Sequence, residues 1–342
     1  MARQSSWLVL ALLGLTVFVV AFSPLESAPD DRDERPDPRL RVKPVAKQEP
    51  IVPIPLEIKL DTRKVALGRR LFHDPHLSSD NTISCSSCHN LASGGMDGLP
   101  RSIGVGGKEG VINAPTVFNS GFNVTQFWDG RVATLEEQVD FPMEHTCDMG
   151  TTWLDVITKL EQDAEYRRDF ADIYPEGIKQ PSVRNAIATY ERSLITPNSK
   201  FDRFLRGDPH ALDGDEVAGY ELFKNLGCIS CHQGMNVGGN MYEKIGLFSD
   251  YFADRGNVQE VDYGRYNRTK IEEHRYEFRV PPLRNVALTA PYFHDASAAT
   301  LEKAVAVMGK YQLGVDLSKD EIAKLVKFLH TLTGIYQAEL DK

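Results

Sequence analysis

Cys85-Ser86-Ser87-Cys88-His89 recurs in the second half of the chain as Cys228-Ile229-Ser230-Cys231-His232. Each stretch sets two thiols about one helical turn apart, with an imidazole directly after the second. CxxCH is the c-type haem attachment pattern. The two thiols add to the two vinyl groups of one porphyrin, and the adjacent His binds iron from the proximal side. At this composition a chance CxxCH is expected about 0.002 times per chain. Two of them therefore point to two covalent haems c, with His89 and His232 as iron ligands, rather than to a redox CxxC or half of a zinc site.

The attachment motifs sit in a duplicated frame. Gly68-Arg69-Arg70-Leu71-Phe72 precedes the first and Gly219-Tyr220-Glu221-Leu222-Phe223 the second. Phe127-Trp128-Asp129-Gly130-Arg131 and Thr134-Leu135-Glu136 follow the first; Phe293-His294-Asp295 and Thr300-Leu301-Glu302 follow the second. A repeat of this length reads as two related units in tandem. The secondary structure reads as mainly α. Ser318 and Glu321 form a capping box ahead of Ile322, Leu325, Val326 and Leu329 at helical spacing, and Gly334 follows. A second helix is predicted over Ser182–Leu194. The expected fold is two tandem cytochrome c-like domains, residues 60–205 and 206–342, each wrapped around one haem.

The 342 residues are 42% apolar and 25% charged, which excludes a disordered or collagen-like chain. A formal charge of −9 is the wrong sign for a phosphate-backbone binder. At the N-terminus Arg3 precedes the apolar run Trp7–Phe22, 16 residues long. That is short for a spanning helix and suits an export signal, so residues 1–23 read as a signal peptide or a retained inner-membrane anchor and the compartment as the periplasm. Residues 24–59 hold eight prolines among many charges and read as a tether without a core of its own.

Each attachment His fills one axial position, and the occupant of the other decides function. For the second iron Met308, in Val307-Met308-Gly309-Lys310-Tyr311, is the best candidate. His/Met ligation raises the potential and makes a centre that only passes electrons. For the first iron Met143, His145, Asp148 and Met149 lie in the matching stretch, and none stands out as a required ligand. An iron with a vacant site can take a small oxidant.

Taken together, the chain resembles the bacterial di-haem cytochrome c peroxidase family, which includes the MauG-type enzymes. The resemblance covers roughly residues 60–336. It rests on Cys85…Cys88-His89-Asn90, Pro115-Thr116-Val117-Phe118-Asn119, Gln126-Phe127-Trp128-Asp129-Gly130-Arg131, Leu194-Ile195-Thr196-Pro197, Cys228…Cys231-His232, Leu283-Arg284-Asn285, Pro291-Tyr292-Phe293-His294 and Met308-Gly309. It implies a peroxidatic, low-potential haem at His89 and a high-potential haem at His232 and Met308, with Trp128 between them. It further implies a calcium ion held by Asn119 and the backbone oxygens of Thr289 and Pro291. The implied reaction reduces hydrogen peroxide to water with electrons from a small periplasmic redox protein, a cytochrome c or a cupredoxin; members of the family are often homodimers.

Two positions depart from the family pattern. Many members carry, near Val105, a His that caps the resting peroxidatic iron; Val has no lone pair and cannot ligate. After Pro142 the family reads Pro-x-Glu-Met, its Glu the distal carboxylate. Here Pro142-Met143-Glu144 matches but His145 replaces the Met, and Asp148-Met149 offers a second acid–Met pair. Glu144 is the first choice for the carboxylate that moves protons on peroxide, Asp148 the second. Two other readings stay open at this point: a MauG-like oxidase of a partner protein, against which Met308 argues because the resemblance implies a Tyr there, and a di-haem electron carrier with no substrate.

Overall fold

The computed structural model describes residues 49–336, which belong to one compact body. The expected signal or anchor segment and most of the proposed tether lie outside the described residues. Among the described residues no helix is long and apolar enough to cross a membrane.

Among the described residues helices dominate, and the strands are two short pieces, Tyr242–Lys244 and Glu277–Arg279, paired antiparallel. Each half is built on one close helix crossing. In the first, the Thr62–Phe72 helix packs on the Gln180–Ser193 helix; in the second, Gly214–Asn225 packs on Lys319–His330. Both crossings turn on a glycine. A Cβ on Gly68 would stand 2.0 Å from the Ala186 carbonyl oxygen, and one on Gly219 would stand 2.1 Å from that of Lys324. Only hydrogen fits at either point, so the duplicated Gly-x-x-Leu-Phe is a packing device.

The duplication continues in the loops. Asn119 and Asn285 both adopt left-handed φ, at 60° and 61°, and both side-chain amides donate to Thr196 Oγ1, at 2.8 and 2.9 Å. Phe127 and Phe293 are likewise left-handed, each inside a short bridge, Gln126 to Val132 and Tyr292 to Ala298. Trp128 and His294 thus hold corresponding places in the two halves.

Both helices expected from the sequence form. Lys319–His330 starts at the Ser318–Glu321 capping box and buries Leu325, Val326, Phe328 and Leu329. It stops at His330 rather than running to Gly334. The other helix begins at Gln180, where the Ser182 hydroxyl accepts from Lys179 N–H at 2.9 Å.

The segment read as tether up to residue 59 differs from that expectation at its end. Ile51 and Ile54 are fully buried, and Ile51 bridges to Gly234. Arg284 and Asp202 form a buried ion pair at 2.8 Å; Asp202 also accepts from Ile54 N–H at 3.2 Å, and Arg284 donates to Val52 O at 3.1 Å. Proline content masked two core isoleucines in a segment whose backbone is held at Val52 and Ile54 by a buried salt bridge.

Candidate functional site

The first attachment turn is a one-turn helix, Cys85–Cys88, started by Ser84, whose N–H donates to Ser87 Oγ at 3.0 Å. It puts Cys85, Cys88 and His89 on the wall of a cavity of about 250 Å³. The second turn, Cys228–Ser230, follows left-handed Gly227 and puts Cys228, Cys231 and His232 on the wall of a second cavity of about 470 Å³. Met308 lines that same cavity. It ends the Leu301–Met308 helix, where the chain widens into a π-turn over Gly309–Leu313, a feature frequent at functional sites.

The two sites share one local design. His89 Nδ1 meets Gly95 O at 3.3 Å, and His232 Nδ1 meets Val237 O at 3.3 Å. A backbone acceptor at Nδ1 fixes the tautomer and leaves Nε2 to ligate a metal. Burial lowers the pKa of both rings, that of His232 to about 4, so both are neutral donors. Burial pushes the Cys85 thiol up, and the Cys228 thiol up to about 11. All five cysteines are unpaired.

The cavities meet at a common wall formed by Asn113–Thr116, Trp128, Arg279 and Pro282. Trp128 is held there by its indole N–H, which donates to Asn113 O at 2.9 Å, and its ring lies 6.3 Å from that of His294. His294 is itself fully buried and bonded to Asp262 at 2.7 Å, with Arg255 on the same carboxylate. Arg279 has only about 4% of its surface exposed, and its Nη1 is buried with no partner. A buried, partnerless guanidinium nitrogen on a residue that lines both cavities is a seat for an anionic group; porphyrin carboxylates would satisfy it. Paired thiols, a free imidazole Nε2 and an unpartnered guanidinium fit a haem c on each side.

The acidic candidates separate. Glu144 ends the Asp140–Glu144 helix next to buried Met143, which turns Glu144 out to solvent and off the cavity wall. The first choice from sequence thus lies off this wall. The chain then turns back, and Asp148 and His145 line the first cavity, with His145 Nδ1 3.1 Å from Asp148 Oδ2. Burial raises the Asp148 pKa against the pull of His145 and Arg131. Val105 is buried but lies off the cavity wall, its N–H donating to Asp148 O at 2.9 Å. Met143 and Met149 are buried in the first core and reach the same wall.

Asn119 does not join Thr289 and Pro291. Its amide is spent on Thr196, donating to Oγ1 and accepting from N–H at 2.9 Å, and it lines neither cavity. Asn113 shares the second cavity wall with Thr289 and Pro291. Asn119, read from sequence as a cation ligand with Thr289 and Pro291, is instead held by the Thr196 clamp between the repeats.

Sequence reasoning passed over Glu191, Gln138, Asn113 and Arg279, all on the wall of the first cavity. Glu191 carried a usable signal: it follows Val183 and Ile187 at four-residue steps, an acid on an otherwise apolar stripe. Gln138 and Arg279 carried none.

A duplicated helical fold with a CxxCH turn facing a cavity in each half defines a tandem c-type redox protein. Residues 62–210 match the sequence profile of the di-haem cytochrome c peroxidases. The chain is 48% identical over 294 residues to the cytochrome c peroxidase Ccp of Escherichia coli, a match covering 86% of this chain and 63% of that protein's length. It is 44% identical to the cytochrome c551 peroxidase of Nitrosomonas europaea, covering 85% of this chain and 86% of that one. Among solved structures, a MauG-like protein associated with microbial copper homeostasis superposes with a TM-score of 0.71 at 30% identity, covering 85% of this chain and 95% of that one. The chain belongs to the bacterial di-haem cytochrome c peroxidase family.

Proposed function

We propose that this chain reduces hydrogen peroxide to water in the cavity beside His89, using electrons that enter at the cavity beside His232 from a small donor protein. The observation that carries the proposal is the asymmetry of the two walls. A thioether, Met308, lines the second; a carboxylate–imidazole pair, Asp148 and His145, lines the first. Haem c held by Cys85, Cys88 and His89, and by Cys228, Cys231, His232 and Met308, supplies the electron transfer when bound.

The protein's own groups supply the rest. Two electrons and two protons convert one peroxide to two waters. Asp148 takes a proton from the inner peroxide oxygen and returns it to the outer one, so that water leaves. His145, half-exposed and bonded to Asp148, links that carboxylate to solvent protons. Trp128 bridges the walls and shortens the electron path between them. Arg279 anchors anionic groups on both sides, and Asn113, Thr289 and Pro291 offer amide and carbonyl oxygens that suit a calcium ion.

The two halves act as a peroxidatic domain, residues 60–205, and an electron-transfer domain, residues 206–342, behind an export segment that delivers the chain to the periplasm. Homodimerisation remains part of this proposal. Met308 on the second wall favours peroxide reduction over a MauG-like oxidation of a partner protein.

The experiment is steady-state oxidation of a reduced c-type cytochrome by the purified two-haem protein on addition of peroxide. Stoichiometric consumption, two cytochromes per peroxide, is the expected result. A protein that carries both haems and leaves peroxide and cytochrome unchanged contradicts the proposal and favours an electron carrier.

A further inference from the structure

Two acids stand on the wall of the first cavity, Asp148 and Glu191, and peroxide chemistry at Asp148 leaves the second unused. Glu191 sits on the Gln180–Ser193 helix, with only about 6% of its surface exposed. Ile187, one turn earlier, shares the cavity wall, so the carboxyl continues the apolar face of its helix into the cavity. Its Oε2 is buried without a hydrogen-bond partner. A buried carboxylate in that state is costly, and a neutral acid is far less so.

We infer that Glu191 is a redox-linked proton site, taking up one proton when the first centre gains an electron and releasing it when that electron leaves. The inference rests on the proposal above that a haem occupies the first cavity. The balance is simple. Ferric iron, the Glu191 carboxylate, one electron and one proton become ferrous iron and the Glu191 carboxylic acid. Ferric iron carries one positive charge more than ferrous. In a low-dielectric cavity that charge favours an ionised neighbour, and its neutralisation favours the protonated one.

The surrounding charges leave Glu191 poised for this. On its own helix Arg192 lowers its proton affinity; from the Leu135–Gln138 helix Glu136 raises it. Arg192 is largely committed to Glu136, at 2.7 and 2.8 Å. From the Thr62–Phe72 helix, Lys64 is engaged with Asn185 and Arg70 with Asp169, while Arg69 acts on His73 and Tyr190. The Cys85–Cys88 turn contributes the Cys85 sulfur, which is neutral as a thioether. Burial wins among these and pushes the Glu191 pKa up to about 8. Asp148, with His145 and Arg131, is the competing titratable group of the cavity.

The test is the midpoint potential of the low-potential haem, followed spectroelectrochemically between pH 6 and 9 in the two-haem protein, for wild type, Glu191→Gln and Asp148→Asn. Wild type is expected to fall with pH by up to about 59 mV per unit, the one-electron equivalent of a tenfold change in proton concentration. Glu191→Gln should flatten that slope, and Asp148→Asn should keep it. A slope unchanged in Glu191→Gln, or a flat wild type, overturns the inference while leaving the peroxidase proposal intact. A first cavity without haem overturns both. Should Glu191→Gln fail to take up haem, wild type and Asp148→Asn decide by infrared difference spectroscopy. A protonated-carboxyl stretch must appear on reduction of the first haem in both; its absence from either overturns the inference.

Discussion

Replacing Asp148 by Asn keeps the side-chain shape and its hydrogen bond toward His145 but removes the ability to carry a proton from one peroxide oxygen to the other. Of the two acids on the first cavity wall, Asp148 is the one paired with a half-exposed imidazole, at 3.1 Å. A positioned acid–base group contributes about 10²–10⁴-fold, or about 2.7–5.4 kcal/mol at 1.36 kcal/mol per tenfold. Asp148→Asn is therefore expected to lower kcat/KM for peroxide by at least about a hundredfold, with both haem spectra retained. The pH profile carries a second signature. A base works only when deprotonated, so activity is lost as pH falls through its pKa. Burial raises that of Asp148 above the usual aspartate range, so the acid limb of wild type lies higher than an exposed Asp would place it and disappears in Asp148→Asn. Glu144→Gln is the matched control, since Glu144 is exposed and off the wall; it should stay within about twofold of wild type, as surface charges act weakly through water. The assay is stopped-flow oxidation of reduced cytochrome c across pH 4–9. An Asp148→Asn protein with wild-type turnover, or a Glu144→Gln protein as impaired as Asp148→Asn, refutes the assignment.

Four further outcomes follow from the geometry. Gly68→Ala and Gly219→Ala each set a methyl about 2 Å from a carbonyl oxygen, 2.0 and 2.1 Å respectively, and should cost about 1–3 kcal/mol or more in denaturant titrations, as overpacking does. Arg284→Met strands buried Asp202 and loosens the 49–56 segment; a loss of about 3–5 kcal/mol is expected, with early proteolysis before residue 60. Met308→Ala should lower the potential of the second haem and open it to exogenous ligands, while the first haem keeps its spectrum. In the reduced protein Glu191 holds a proton that the unfolded chain releases between its ordinary pKa of 4.5 and about 8, so folded stability declines as pH rises through that window. Glu191→Gln should melt near wild type at pH 4.5 and above it at pH 9, measured by circular dichroism.

What the sequence disclosed tracks how local the physics is. The CxxCH turns, the capping box at Ser318 and the apolar stripe of residues 322–329 are set by residues within a turn or two, and all appear as expected. The repeat was legible because Gly68 and Gly219 answer to the same steric demand. Non-local features escaped. Ile51, Val52 and Ile54 looked like tether because their partners, Gly234, Arg284 and Asp202 in turn, lie more than 140 residues away. Glu144 looked like the distal acid by motif spacing, yet one helical step past buried Met143 turns it to solvent. Asn119 looked like a cation ligand, but its amide serves Thr196 across the repeat boundary. Glu191 was half legible: its place after Val183 and Ile187 on an apolar stripe is a local signal, but the partnerless oxygen that singles it out is set by the fold.

The central claim is that the two centres differ in coordination, with Met308 closing the second and no side chain closing the first. Magnetic and optical spectra of the fully oxidised two-haem protein, before and after one equivalent of peroxide, test it most directly. The expected result is one low-spin centre carrying the His/Met signature and one centre with an exchangeable position, the latter alone responding to peroxide at first contact. Two low-spin, six-coordinate centres that peroxide leaves untouched would contradict it.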